Sequence, residues 1–166
     1  MSWAAVILAL VTAQRLGELV LARRNTRHLL AQGAYEVGAA HYPLIVAMHA
    51  AWLLGLWYLA LYRAPAGQDI NLLWLGVFVA LQLARVWVIA SLGGRWTTRI
   101  IVLPGAPLVK QGPYRFVSHP NYWVVAGEML VLPLAFGLLS YGLVFSALNA
   151  AMMWVRIRAE TAALKS

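Results

Sequence analysis

Long apolar stretches limit what this chain can fold into more than any other feature of its sequence. Hydrophobic residues fill 63% of its 166 positions and charged residues only 11%, whereas an ordinary soluble domain has about 45–50% and about 25%. The apolar residues gather into stretches close to the length of about 20 residues that a helix needs to cross a bilayer. The sequence therefore predicts an all-α fold: a polytopic bundle of membrane helices, forming a single integral membrane domain over residues 1–166.

Five segments fit a membrane-spanning helix. Their predicted bounds are residues 2–22, 41–62, 70–92, 122–134 and 139–158. The last two come from one apolar stretch that is too long for a single helix, and Pro133 and Gly137 mark a tight turn in its middle. The chain then consists of three N-terminal spans (residues 1–92), an ordered loop (93–121) and a helical hairpin with a C-terminal motif (122–166). The fourth helix is short, and whether it crosses the whole bilayer is left open.

Lys and Arg residues predict the orientation of the bundle. They cluster in three segments at or beyond the ends of spans, namely Arg23, Arg24 and Arg27; Arg95, Arg99, Lys110 and Arg115; and Arg156, Arg158 and Lys165. With five spans these segments all fall on one side, which the positive-inside rule makes cytoplasmic. We therefore expect the N-terminus outside and the loop and C-terminus in the cytoplasm, at a bacterial inner membrane. The net charge of +8 then faces anionic lipid, and no nucleic-acid partner is expected.

The first motif with chemical character lies in the loop before the fourth helix. It reads GPYR at residues 112–115 and SHPNY at residues 118–122. Pro120 keeps His119 out of helical geometry and can itself open the next helix, where its missing N–H costs nothing. A histidine fixed at a helix start beside the membrane surface is well placed to meet a polar ligand. The alternative is that these are ordinary helix-boundary residues.

The second motif lies at the end of the last helix. Arg156 and Glu160 are four residues apart and share one helix face, and Asn149 continues this polar stripe toward the membrane interior. The alternative is a surface ion pair at an interfacial helix end. Because the ends of an antiparallel hairpin are neighbours, the two motifs together predict one cytoplasmic polar pocket beside an apolar cleft.

These motifs resemble those of a known family, the membrane methyltransferases that include isoprenylcysteine carboxyl methyltransferase and the phospholipid N-methyltransferases. The similar text is LVKQGPYRFVSHPNYW at residues 108–123 and RIRAETAAL at residues 156–164, with a helical hairpin between them. More loosely, RLGELVLARRN at residues 15–25 and GAYEVGAAHYPLIVAMH at residues 33–49 are similar to a bacterial branch linked with polyketide synthases that make alkylpyrones.

The resemblance implies that S-adenosylmethionine binds in the hairpin and the preceding loop, with S-adenosylhomocysteine as product. By position, the implied cofactor contacts are Leu108, Val109, Gly112, Tyr114, His119, Pro120, Tyr122, Arg156 and Glu160. We expect Arg156 and Glu160 to be the catalytic pair, with Arg156 as an orienting cation and Glu160 as a cofactor or proton-handling contact; an exchange of these two roles is left open. Asn149 and Glu128 are expected to contact the acceptor.

The implied acceptor is a lipophilic small molecule or lipidated compound, methylated on a carboxylate or enol oxygen as in a prenylcysteine or an alkylpyrone. A phospholipid amine is the less favoured form. Three departures from the family pattern bear on the cofactor contacts and on the acceptor class. Ser118 stands where the family usually has Arg, Val124 where it usually has Gly, and Thr161 where a second acid is common.

Ionisable residues inside the spans are candidates for functional sites, and each needs a partner. Arg15 and Glu18 are three residues apart, which predicts a local ion pair, and Arg85 is a possible partner for Glu128. A small transporter that uses these charges is therefore a second hypothesis, and a membrane reductase with a nicotinamide cofactor on a related scaffold is a third. No metal site is expected, because no histidine has metal-ligand spacing, and the absence of cysteine excludes thiolate chemistry.

Overall fold

The computed structural model describes residues 2–63 and 69–163. It contains five α-helices and a small antiparallel sheet of two strands. The helices are α1 (Trp3–Ala31), α2 (Tyr42–Tyr58), α3 (Leu72–Leu92), α4 (Pro120–Ala135) and α5 (Leu139–Ala163), and the strands are β1 (Tyr35–Val37) and β2 (Ile100–Val102). The predicted all-α membrane bundle is confirmed. Lys165 and the end of the second motif lie outside the described residues.

Three helical stretches in the described part of the chain are long and apolar enough to cross a membrane. They are Trp3–Ala31, Ala39–Tyr62 and Leu72–Arg95, with mean hydropathies of 1.7, 1.9 and 2.0. They correspond to the first three predicted spans. Helix α4 has 16 residues and is about 24 Å long, which is shorter than the hydrocarbon core of about 30 Å.

Helix α1 continues well past the predicted end of the first span at residue 22. Its 29 residues make it about 44 Å long, so it extends beyond the apolar core of a bilayer. It ends where Gly33 adopts a positive φ of 89°. Hydropathy marks where a helix leaves the apolar core, whereas Arg, Leu and Ala are good helix formers that allow the helix itself to continue.

Helix α4 is the central helix of the bundle and packs against both α3 and α5. Pro120 occupies its first turn, and the helix ends before Gly137, whose φ is 71°. Its buried side chains, among them Met129 and Leu132, join a core formed with residues of α1, α2 and α3. In addition, Trp52 Nε1 of α2 donates a hydrogen bond to the Met129 carbonyl at 3.3 Å. The start of α4 is therefore held at one end of the core.

A cluster of four charges, three of them buried and the fourth, Arg15, half-buried, connects α1, α3 and α4. Arg85 donates from Nε to Glu18 Oε1 at 2.7 Å and from Nη2 to Glu18 Oε2 at 2.6 Å, and its Nη1 lies 3.2 Å from Glu128 Oε2. Arg15 bridges the same two carboxylates, with Nη1 3.1 Å from Glu18 Oε2 and Nη2 2.8 Å from Glu128 Oε1. The expected pairs Arg15/Glu18 and Arg85/Glu128 are therefore both present, as parts of one cluster of two cations and two carboxylates.

Replacing Arg85 by Met should strongly destabilise the folded protein. Removing one member of a buried ion cluster leaves uncompensated charge and typically costs about 3–5 kcal/mol. The matched control is Arg99→Met, which removes the pair between Arg99 and Glu36 at the surface, where a loss of at most about 1 kcal/mol is expected. Unfolding in mixed micelles would measure both free energies, and equal losses would contradict a special role for the buried cluster.

Candidate active site

The segment between α3 and α4 is fastened to the bundle at several points. Strand β2 pairs with β1, which follows α1 in the chain. Asn25 of α1 donates from Nδ2 to the carbonyls of Gly93 and Trp96 at 3.1 and 2.9 Å. Gln111 Nε2 donates to the Ser91 carbonyl at 2.8 Å. The loop is thereby held against the same end of the bundle at which α4 begins and α5 ends.

Gly112 is required where the loop touches the end of α3. Its φ is 56°, and a Cβ at this position would overlap Ser91 Oγ and lie 3.2 Å from Trp87 Nε1. Both the left-handed backbone and the close approach call for a residue without a side chain. Gly112 thus sets the path of the following turn, which carries Tyr114 toward the hairpin.

Four of the residues predicted from the motifs meet at the start of α4 and the end of α5. Tyr122 donates its hydroxyl to Glu160 Oε2 at 2.6 Å, and Arg156 Nε donates to the same hydroxyl at 2.9 Å. His119 Nδ1 lies 3.6 Å from Glu160 Oε2. The His119 ring is stacked on Tyr122 with centroids 5.1 Å apart. The hairpin therefore brings an imidazole, a phenol, a guanidinium and a carboxylate into one polar group.

Tyr114 and Pro120 support this polar group from the loop side. Pro120 is buried at the first position of α4. Tyr114 packs against the small cluster of Ala22, Val88 and Trp96, and burial, with a further contribution from the Glu160 carboxylate, raises its pKa to about 12. The Tyr114 phenol is therefore a protonated hydrogen-bonding group at neutral pH.

A cavity of about 410 Å³ opens beside the polar group, between α1, α2, α4 and α5. Asn121, Tyr122 and Arg156 belong to its wall, as do two members of the buried charge cluster on α1, Arg15 and Glu18. Most of the remaining wall is apolar. The volume lies in the range of about 300–1,000 Å³ that is typical of small-molecule sites.

The cavity is open to lipid between α1 and α2. Leu16 and Val46 line it and are nevertheless 59% and 45% exposed. A residue that is both in the wall of a cavity and on the outer surface of a membrane bundle lies at the mouth of that cavity. This feature is the apolar cleft expected from the two motifs.

The other predicted site residues lie elsewhere. Leu108 is 65% exposed, and neither it nor Val109 belongs to the cavity wall, which of the four grouped residues contains Tyr122 and Arg156 but not His119 or Glu160. Glu128 is held within the buried charge cluster. Asn149 is fully buried in α5, and its Oδ1 has no hydrogen-bond partner among the described residues. The structure thus groups the motif residues of the hairpin but not these four.

The cavity wall also contains residues that the motifs do not predict as contacts, among them His49 and Asn121. The sequence presents His49 only as a candidate metal ligand, and among the described residues there is no group of three potential metal ligands. Its spacing of seven residues from Tyr42, which also lines the cavity, was a usable signal, because positions i and i+7 share a helix face. Asn121 lies within the SHPNY motif and has a buried Oδ1 without a partner among the described residues.

Comparison with known proteins shows which family this chain belongs to. The family model of isoprenylcysteine carboxyl methyltransferase (ICMT) matches residues 74–166, which include most of α3, the loop motif and the whole hairpin. The chain belongs to the ICMT family. The predicted resemblance is therefore confirmed, and membership supports a methyltransferase function in a membrane.

Two bacterial proteins are similar to this ICMT-family chain along nearly its whole length. The uncharacterized protein YpbQ of Bacillus subtilis (strain 168) is 40% identical over 165 residues, which cover 96% of this chain and 95% of that protein. An uncharacterized protein of Haemophilus influenzae (strain ATCC 51907 / DSM 11121 / KW20 / Rd) is 24% identical over 160 residues, which cover 96% and 93%. No solved structure matches the chain.

Replacing Gly112 by Ala should destabilise the loop more than the same change at Gly105. Both glycines have positive φ, 56° and 73°, but nothing lies within 4 Å of an added Cβ at Gly105. Gly105→Ala therefore measures the backbone cost alone, on the order of 1 kcal/mol, and Gly112→Ala adds the overlap with Ser91. Limited proteolysis and thermal unfolding in detergent would compare them, and identical behaviour would contradict the close packing of Gly112.

Proposed function

We propose that this protein is an integral membrane methyltransferase that transfers a methyl group from S-adenosylmethionine to a lipophilic acceptor. The observation that carries the proposal is the arrangement of the cavity. Its wall includes Tyr122 and Arg156 of the ICMT-family hairpin, while its mouth opens to lipid between α1 and α2. A site of this kind suits one reactant from the aqueous side and another from the bilayer.

The polar group at the hairpin suits the chemistry of the cofactor. S-adenosylmethionine brings a carboxylate, an ammonium group, an adenine and a sulfonium that supplies the methyl group. Arg156 suits the carboxylate, Glu160 the ammonium group, and the stacked rings of His119 and Tyr122 suit a cation or a flat base. The buried Oδ1 of Asn121, which has no partner among the described residues, offers an acceptor for a further N–H group.

The loop residues complete the proposed cofactor site from the other side. Tyr114 lies within electrostatic range of the Glu160 carboxylate, and we place it on the loop side of the proposed cofactor site. Gly112 directs the turn that carries Tyr114, and Pro120 fixes the position of His119. Leu108 and Val109 precede this turn, and their proposed contact with the cofactor requires the exposed part of the loop to close on it.

The proposed acceptor has a long apolar tail and a small polar head. The apolar wall and the lipid-facing mouth accommodate the tail, and the polar end places the head beside Arg156. Holding two reactants in line within a dry pocket supplies much of the rate of a displacement reaction. We favour O-methylation of a carboxylate or an enol, with Arg156 as the orienting cation and Glu160 as the contact to the cofactor or the proton.

The proposed topology has the N-terminus outside and the site in the cytoplasm of a bacterial cell. It is supported by the basic residues at one end of the bundle, those at the end of α1, in the loop and at the end of α5. By the positive-inside rule this end faces the cytoplasm. S-adenosylmethionine is then available from the cytosol without crossing the membrane.

The two alternative functions find less support in the charges. A transporter needs ionisable groups that are free to exchange ions along a path, yet Arg15, Glu18, Arg85 and Glu128 neutralise one another in one cluster. A membrane reductase would place a nicotinamide cofactor in the same cavity. It differs from a methyltransferase in the ligand that it binds, so NADPH is included in the binding experiment.

Purified protein in detergent should bind S-adenosylmethionine and S-adenosylhomocysteine. Glu160→Ala and His119→Ala should each weaken binding about 10-fold or more, because a hydrogen bond to a charged group contributes roughly 1.5–3 kcal/mol. Isothermal titration calorimetry would measure the dissociation constants.

The matched control for this binding experiment is Glu36→Gln, which removes a carboxylate that pairs with Arg99 and is not part of the polar group. It should leave binding unchanged. A wild-type protein that binds neither adenosyl ligand would contradict the proposal, and binding of NADPH in their place would favour the reductase.

A further inference from the structure

His49 presents to the cavity a basic nitrogen that has no role in the proposed function. Its Nδ1 lies 2.8 Å from the Ile45 carbonyl. A carbonyl oxygen only accepts, so Nδ1 must carry the hydrogen of the neutral ring. Nε2 is then the nitrogen with the free lone pair, and it has no hydrogen-bond partner among the described residues. The backbone of α2 thus holds His49 in the tautomer that a general base requires.

His49 lines the same cavity as Tyr122 and Arg156. Trp52 of α2 donates a hydrogen bond to the Met129 carbonyl of α4, which joins the two helices that carry His49 and Tyr122. The wall around an acceptor held in this cavity therefore includes both side chains.

The charges around His49 balance one another. The ionisable groups that face it come from all five helices and are Arg15 and Glu18 of α1, Tyr42 of α2, Arg85 of α3, Tyr122 and Glu128 of α4 and Arg156 of α5. Arg15 and Arg85 pair with Glu18 and Glu128, and Arg156 is linked to Glu160 through the Tyr122 hydroxyl. Among the described residues, each guanidinium group of the wall is thus engaged with a carboxylate, so a neutral acceptor head needs no additional counter-charge.

An acceptor that enters from the hydrocarbon also has to be uncharged. A charge inside a bilayer is costly, so an acidic head group enters through the lipid-facing mouth in its protonated form. The protonated oxygen is a poor nucleophile, and its proton has to be taken up within the cavity. Among the described residues of the wall, His49 is the one that offers a ring nitrogen with a free lone pair.

We propose that His49 Nε2 is the general base that removes the proton from a weakly acidic hydroxyl, a phenol or enol, of the acceptor. The oxygen lone pair attacks the methyl carbon, the new O–C bond forms, and the C–S bond breaks with its electron pair left on sulfur. The hydroxyl proton moves to His49 and then to water. This inference rests on the proposed methyltransferase function and adds to it the residue that takes up the acceptor's proton.

Two acceptors with the same alkyl chain, an alkylphenol and an alkylnitrophenol, test the base at pH 7. The nitrophenol ionises readily in water, whereas the phenol does not. In His49→Gln, methylation of the alkylphenol should fall about 10²- to 10⁴-fold, the usual contribution of a general base. Methylation of the alkylnitrophenol should fall much less, and the variant's rate on the alkylphenol should recover as the pH approaches the phenol's own pKa.

A spectroscopic readout tests the same nitrogen without turnover. With S-adenosylhomocysteine bound, the alkylnitrophenol in the wild-type cavity should show phenolate absorption at a pH at least one unit below that in His49→Gln. The control is His28→Gln, which changes an exposed histidine of α1 that contacts Gln32. It should behave as the wild type in both assays.

The outcomes distinguish failure of the proposed role of His49 from failure of the proposed methyltransferase function. Equal losses on the two acceptors, or no loss on either, would overturn the role of His49. Methylation of neither acceptor by a wild type that binds S-adenosylhomocysteine would overturn the hydroxyl acceptor class and leave the methyltransferase proposal standing. Absence of S-adenosylhomocysteine binding in the wild type would remove both. Unchanged affinity for this ligand in His49→Gln would exclude misfolding as the cause of a lost rate.

Discussion

The buried charge cluster is the interaction on which the rest of the bundle depends. Glu18 accepts hydrogen bonds from Gln14, Arg15 and Arg85, and Glu128 accepts from Gln82 and Arg85. In an apolar medium none of these charges is tolerable alone. They are tolerated because α1, α3 and α4 meet at the position where each charge finds its partner. Correct assembly of the three helices is therefore a condition for burying any one of them.

The same cluster determines the shape of the cavity. Arg15 and Glu18 occupy the wall from α1 while their partners lie on α3 and α4, so the cluster ties α1 to the two other helices through long side chains. The cavity then lies where α1, α2, α4 and α5 enclose it. The short helix α4 contributes the second constraint. Since it begins at Pro120 and is held by its core contacts, Tyr122 comes to the end of the cavity, within reach of Arg156 and Glu160 on α5.

The sequence predicted those parts of the structure that depend on local patterns. Hydropathy located the five helices, and the turn at Gly137 separated the last two. The meeting of His119 and Tyr122 with Arg156 and Glu160 followed from hairpin geometry. What these patterns could not predict was pairing over long distances. Strands β1 and β2 are three residues each and are too short to be recognised from the sequence. Their pairing depends on where α1 ends.

Ion pairs between residues far apart in the sequence could not be predicted either. The pair of Arg15 and Glu18 is visible as a spacing of three residues, whereas the bond of Glu18 to Arg85 joins positions 67 residues apart. Several arginines could have served, and only the packing of α1 on α3 selects this one. His49 was missed for a different reason. Its hydrogen bond to Ile45 is local, but its meaning depends on the cavity, which exists only when four helices are assembled.

The proposed cofactor site and the proposed acceptor site lie largely in different parts of the chain. The match to the ICMT family covers residues 74–166 and contains the polar group proposed to hold the cofactor. The residues proposed to receive the acceptor, namely His49 and the lipid-facing mouth at Leu16 and Val46, lie before it on α1 and α2. A methyl donor is common to many methyltransferases, whereas acceptors differ in shape and acidity. The N-terminal helices can therefore change the acceptor without disturbing the hairpin, provided that the charge cluster still fixes α1 beside α3 and α4.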